Sequence, residues 1–142
     1  MDEPLVVKSE ISIEAPIAKV WEVLVAPKYI KQWDDLPSDF EDYYLELGRS
    51  IEWTGTSKVV VTVCEPNEIL KMSLYVSKWE QPSTAYDIAY IYRLANDGTA
   101  TKLTLEIGDF SVLPDGEDYY TASVEFAGAA LEKIKSLSEN RV

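Results

Sequence analysis

The chain has 142 residues, 46% of them apolar, and a formal charge of −12 from 13 basic and 25 acidic side chains. A surface this negative repels phosphate backbones, and no basic stripe offsets it, so composition argues against nucleic-acid and anionic-membrane partners. Histidine is absent, which removes the side chain best suited to proton transfer near neutral pH and every histidine-based triad or metal site.

The length fits one domain spanning 1–142 with a sizeable core. Cys64 is the only cysteine, so no intrachain disulfide forms. The acidic start Met1-Asp2-Glu3-Pro4 does not resemble a signal peptide, and no run reaches membrane-spanning length. A cytoplasmic location is the expectation.

In chain order, Leu5 to Glu14 reads as a strand, with Val7, Ile11 and Ile13 on one side and Ser9 interrupting that side. Pro16 suits the first turn of a helix, where a missing N–H costs nothing. Ile17, Val20 and Leu24 mark one face of that helix. Pro27 opens a second short helix, with Ile30 and Trp33 on a shared face. The acidic stretch Asp34 to Asp42 reads as a loop. Strands are expected at Tyr43–Leu47, Ser50–Thr54, Lys58–Glu65 and Ile69–Val76, separated by Gly48, Gly55 and Pro66-Asn67. The inner and outer faces of Val59–Cys64 are ambiguous, because both are apolar.

Tyr86–Leu94 and Thr101–Gly108 form the clearest hairpin, joined through Asn96-Asp97-Gly98. Tyr86, Ile88, Tyr90, Tyr92 and Leu94 share one face of the first strand, and Leu103, Leu105 and Ile107 share one face of the second. Leu70, Met72 and Leu74 do the same in the Ile69–Val76 strand. From about Glu117 the period becomes helical, with Tyr120, Val124, Ala127, Leu131 and Ile134 in one stripe. Gly128 is either a weak point in that helix or a place of close approach. Strands grouped between helices at the two ends imply an α+β fold: a curved antiparallel sheet of six to seven strands around a long C-terminal helix.

Motifs for chemistry are sparse. Cys64 has no imidazole partner and lies in an apolar strand, the setting of an inert thiol. The carboxylate groups Asp34/Asp35/Asp39/Glu41/Asp42 and Asp115/Glu117/Asp118 lack the alternating ligand spacing and closing glutamate of a calcium loop, so no metal is expected. No glycine-rich phosphate motif is present, and no cofactor is expected. The tyrosine row has two readings: hydroxyls that orient a ligand in an apolar cavity, or core tyrosines whose hydroxyls reach the sheet margin.

The segment Ile13-Glu14-Ala15-Pro16, with Val20-Trp21, Leu24, Pro27 and Trp33, resembles the opening signature of the START-like, or SRPBCC, superfamily. Within it, the chain is most similar to the activator of heat-shock protein ATPase homologue group, C-terminal domain type. Glu65-Pro66-Asn67-Glu68-Ile69-Leu70 resembles that group's strand–turn–strand. Tyr90-Ile91-Tyr92-Arg93-Leu94, Gly98-Thr99 and Leu103-Thr104-Leu105 resemble its penultimate hairpin, and Leu131-Glu132-Lys133-Ile134-Lys135 the end of its last helix. The group often carries a tryptophan where this chain has Ala127.

The resemblance implies the helix-grip fold and a small apolar or aromatic ligand held between sheet and C-terminal helix. Tyr86, Tyr90, Tyr92, Trp53, Met72, Leu105 and Ala127 are the candidate contacts around a cavity on the order of several hundred Å³. It also implies two alternatives, an enzyme of the polyketide cyclase/hydrolase type and a chaperone-modulating domain with a protein partner. The lack of histidine and of an evident inward carboxylate weighs against the enzyme, and no catalytic residue is assigned.

Overall fold

A computed structural model describes residues 5–33, 45–53, 57–76, 88–112 and 116–139. The elements run β1 (Val7–Ile13), α1 (Ile17–Val25), α2 (Pro27–Trp33), β2 (Ser50–Trp53), β3 (Ser57–Glu65), β4 (Ile69–Val76), β5 (Ala89–Asp97), β6 (Ala100–Gly108), a 3-10 turn (Phe110–Val112) and α3 (Gly116–Ser138). The six described strands form one antiparallel sheet ordered β1-β6-β5-β4-β3-β2. The sheet is curved around α3, giving the expected helix-grip α+β architecture.

The start of the chain folds for the reasons its residues suggest. Ile13 and Val7 of β1 are buried, while Ser9 and Ile11 between them are half-buried. Pro16 sits one position before α1 with φ −62°, and its carbonyl accepts from Lys19 and Val20 N–H. Val20, Val23 and Leu24 then bury one face of α1. Ile30 of α2 is buried; the Trp33 side chain and the acidic stretch 34–42 lie outside the described residues.

Three expectations change, and one left open is settled. No strand forms over the described part of Tyr43–Leu47. Instead Leu45 is buried with its N–H bonded to the Val25 carbonyl, and Arg49 N–H closes a turn onto Glu46. Leu45 is thus tied to the end of α1, and backbone pairing with β3 begins only beyond the segment, where Gly48 N–H donates to the Val61 carbonyl and Val61 N–H to the Arg49 carbonyl. The β5–β6 hairpin is longer than expected. Pairing continues to Asp97↔Ala100, and the loop is Gly98-Thr99, a two-residue connection whose twist matches its strands.

The buried stripe of α3 is also displaced in its first half. Ser123 rather than Val124 turns inward, and Val124 is 44% exposed. Beyond Ala127 the stripe is as expected, with Leu131 and Ile134 buried alongside Ala130 and Leu137. Finally, Gly128 faces outward, and an added methyl group would meet no described atom within 4 Å. It permits no close approach. Gly128→Ala should therefore raise stability by up to about 1 kcal/mol through helix propensity alone, read as a shift of the urea midpoint.

A β-bulge between Val61 and Val63 resolves the ambiguous phase of β3. Val59 and Val61 are opposite Leu74 and Met72, whereas Cys64 is opposite Leu70. All three therefore face inward across an odd spacing, which only an extra residue at Thr62 allows. The Cys64 thiol is half-buried, and its pKa is raised by that burial first and by the Glu46 charge second. Both effects disfavour the reactive thiolate.

The junction between sheet and α3 is tightly built. Asp109 accepts hydrogen bonds from the N–H groups of Leu5 (2.9 Å) and Ser111 (2.8 Å), and Phe110 N–H donates to the Leu5 carbonyl. The Asp109 carboxyl is held below its usual pKa chiefly by the Ser111 side chain, with the Ser111 and Leu5 N–H groups adding and desolvation opposing. A carboxyl whose pKa falls on folding contributes stability above its unfolded value, and that contribution disappears as pH drops through the folded value. Asp109→Asn should thus be less stable than the parent at neutral pH. The gap should close below the carboxylate range, as followed by thermal melts across an acid titration.

Candidate functional site

The interior lies between the concave face of the sheet and α3. Two neighbouring rows of side chains cross that face. In one, Val61, Met72, Tyr90 and Ile107 stand side by side; in the next, Leu70, Tyr92 and Leu105 do so. The register thus brings four of the candidate contacts together as two adjacent pairs, Met72–Tyr90 and Tyr92–Leu105. Ala127 is fully buried on α3 and belongs to the same core. Tyr86 and the Trp53 side chain lie outside the described residues.

The four sheet positions are not equivalent. Tyr92 is 1% exposed and Leu105 wholly enclosed, whereas Tyr90 is only partly buried. Tyr90 meets Phe126 of α3 edge to face, at 5.9 Å between centroids and 85° between planes. This is the favourable geometry for opposed aromatic quadrupoles. At the start of α3, Tyr119 stacks on Phe110 at 5.9 Å and 16°. Close backbone approaches of α3 are to β1, β6, α1, α2 and the 3-10 turn. Toward β5 the helix is bridged by the Tyr90–Phe126 rings.

Phe126 and Phe110 were missed in the sequence. A stripe spaced four and three passes over Phe126, because the buried face of a helix gripped on several sides is broader than one stripe. Phe110 follows the last strand in a segment with no periodicity. Met72 and Ala127 were legible from spacing alone.

Interior polarity is low. The Thr101 hydroxyl, buried, donates to the Ala15 carbonyl at 2.8 Å and ties β6 to the start of α1. Among the described residues Thr101, Ser123 and Ser138 are buried polar residues and the Glu139 carboxylate at the end of α3 is also enclosed, but no carboxylate stands in the two rows. Glu117 and Asp118, one of the acidic groups in the sequence, occupy the exposed first turn of α3, where negative charge complements the helix dipole. Among the described residues, no group of three or more potential ligand side chains is placed to hold a metal ion, and no helix is long and apolar enough to cross a membrane.

The model of one protein family, described as activator of Hsp90 ATPase homolog 1-like protein, matches residues 14–139. The chain belongs to that family. Its fold is shared with protein MLL2253 of Mesorhizobium loti, at 23% identity and a TM-score of 0.75, covering 96% of this chain and 98% of that one. The Aha1 dimer of Colwellia psychrerythraea is similar at 16% identity and a TM-score of 0.73, over 96% and 97% of the two chains. CalU16 of Micromonospora echinospora is similar at 20% identity and a TM-score of 0.70, over 96% of this chain and 67% of that one. No curated protein matches this sequence. For this family member the likenesses establish the architecture, including the place of the interior between sheet and last helix.

Proposed function

We propose that this chain is a one-domain binding module of the cytoplasm that holds a small, largely apolar or aromatic molecule between the sheet and α3 without transforming it. The observation that carries the reading is the contrast within the wall. Tyr90 and Phe126 form a partly buried aromatic surface beside the buried thioether of Met72, where α3 is bridged to β5 by rings. Such a surface supplies affinity by burial, and a phenol supplies orientation.

The absence of a carboxylate from the described rows favours binding over the cyclase or hydrolase reading, because a tyrosine alone is a poor general base near neutral pH. The chaperone-modulating reading rests on the family's name. A contiguous exposed apolar surface would favour it, whereas the exposed large apolar side chains identified among the described residues, Leu47 and Val124, are separate.

Native mass spectrometry of gently purified protein, set against its denatured mass, tests the reading. A retained small molecule supports it and gives the ligand's chemical class. A bare mass in the parent, together with unchanged stability on adding apolar aromatic probes, overturns it in favour of a protein partner.

A further inference from the structure

The end of α3 carries an arrangement that packing alone does not require. Lys135 Nζ donates to the Ser12 carbonyl at 2.7 Å and to Glu139 Oε2 at 2.8 Å, and the same Glu139 oxygen accepts from the Glu14 N–H at 2.7 Å. The Glu139 side chain is only 4% exposed. Ser12 lies near the end of β1 and Glu14 just past it, and among the described strands β1 is an edge of the sheet. In a strand, alternate residues turn their N–H and C=O groups to opposite sides. Ser12 therefore shares its free side with Glu10 and Lys8, and the last turn of α3 occupies the far end of that side.

The remaining edge is self-complementary. Two copies of β1 laid antiparallel and centred on Ser9 place Lys8 opposite Glu10, whose carboxylate also pairs with Lys102 of its own chain at 3.2 Å, twice on the outer face and Val7 opposite Ile11 twice on the inner face. Opposite charges and apolar pairs directly across a ladder both stabilise it. The next pair outward joins Ser12 to Val6, and the Ser12 carbonyl is already taken by Lys135. An open edge of this kind is a template for pairing unless something covers it.

We propose that β1 is a latent self-pairing strand whose partner is a second copy of this chain, and that Lys135 and Glu139 act as its guard. While they hold Ser12 and Glu14, the ladder between two copies is too short to persist. Releasing them extends it to the Ser12–Val6 pairs at both ends.

The test is sedimentation velocity over a concentration series on the full chain, comparing the parent with Lys135→Met/Glu139→Ala, and with circular dichroism to establish that each variant is folded. The guard-free variant is expected to gain about twofold in mass over the parent at high concentration. Adding Lys8→Glu, which puts like charges opposite one another, should return it to the parent's mass; adding Glu10→Lys as well should restore the doubling. Lys135→Met alone, which keeps Glu139 on Glu14 and the apolar stem of the lysine, gives a folded fallback with a weaker shift in the same direction. A folded guard-free variant that keeps the parent's mass overturns the proposal, as does association that Lys8→Glu leaves unchanged.

Discussion

Gly116→Ala is expected to lower stability by roughly 3 kcal/mol or more, the upper end of what overpacking costs. Gly116 is the first residue of α3 and is buried. A Cβ built there would run into the Phe110 carbonyl, a backbone group that cannot rotate away, and would also touch Leu5 Cδ1 at 3.3 Å. Gly108 is constrained in a related way. Its φ of +142° disfavours any side chain, and a Cβ would lie 2.7 Å from the Leu5 carbonyl oxygen. Both glycines serve one construction, the crossing of the N-terminal arm over the passage from β6 to α3. Urea denaturation should show a lower midpoint with little change in slope. A Gly116→Ala variant as stable as the parent would mean that α3 starts elsewhere.

The second large effect separates structure from binding at the tyrosine row. Tyr92→Ala should destabilise by about 3–5 kcal/mol, because a wholly enclosed ring is removed and the cavity it leaves cannot close. Tyr90→Ala should cost clearly less, since Tyr90 is partly exposed; its edge-to-face contact with Phe126 is worth about 0.5–1.5 kcal/mol beyond the area it buries. Under the proposed function the order reverses for ligand retention. Tyr90→Ala should release the bound molecule while the fold survives, and Tyr92→Phe should leave retention close to the parent's. Thermal melts and native mass spectra on the same samples separate the two orders. Retention that survives Tyr90→Ala would remove that residue from the site.

The register that makes this contrast was legible in the sequence. Alternation over Tyr90–Leu94 and Leu103–Ile107 placed the inward residues correctly, because strands buried on one face carry a strict period of two. The clustering of strands between terminal helices gave the fold class, and the opening and closing motifs gave the family.

What the sequence hid has physical causes. The Tyr43–Leu47 segment has strand-forming residues, but Leu45 is claimed by the end of α1, a long-range hydrogen bond that no local pattern encodes. Val124 satisfies a four-and-three stripe, yet Ser123 is the residue turned inward, because α3 is packed against β1, β6, α1, α2 and the 3-10 turn rather than against a single face. The difference between an enclosed Tyr92 and a partly open Tyr90 is invisible to alternation, which treats residues two apart as equals.

The extra residue in β3 has a consequence for how this interior can change over evolutionary time. Removing Thr62 would leave Val59, Val61 and Cys64 on the faces they now occupy, since Val63 would simply become the outward residue between two inward ones. What would be lost is the local bend that a bulge gives its strand. A single codon deletion would therefore alter the curvature of β3 while keeping the same side chains on its inner face. The bend of this strand and the side chains on its inner face can therefore change independently of one another.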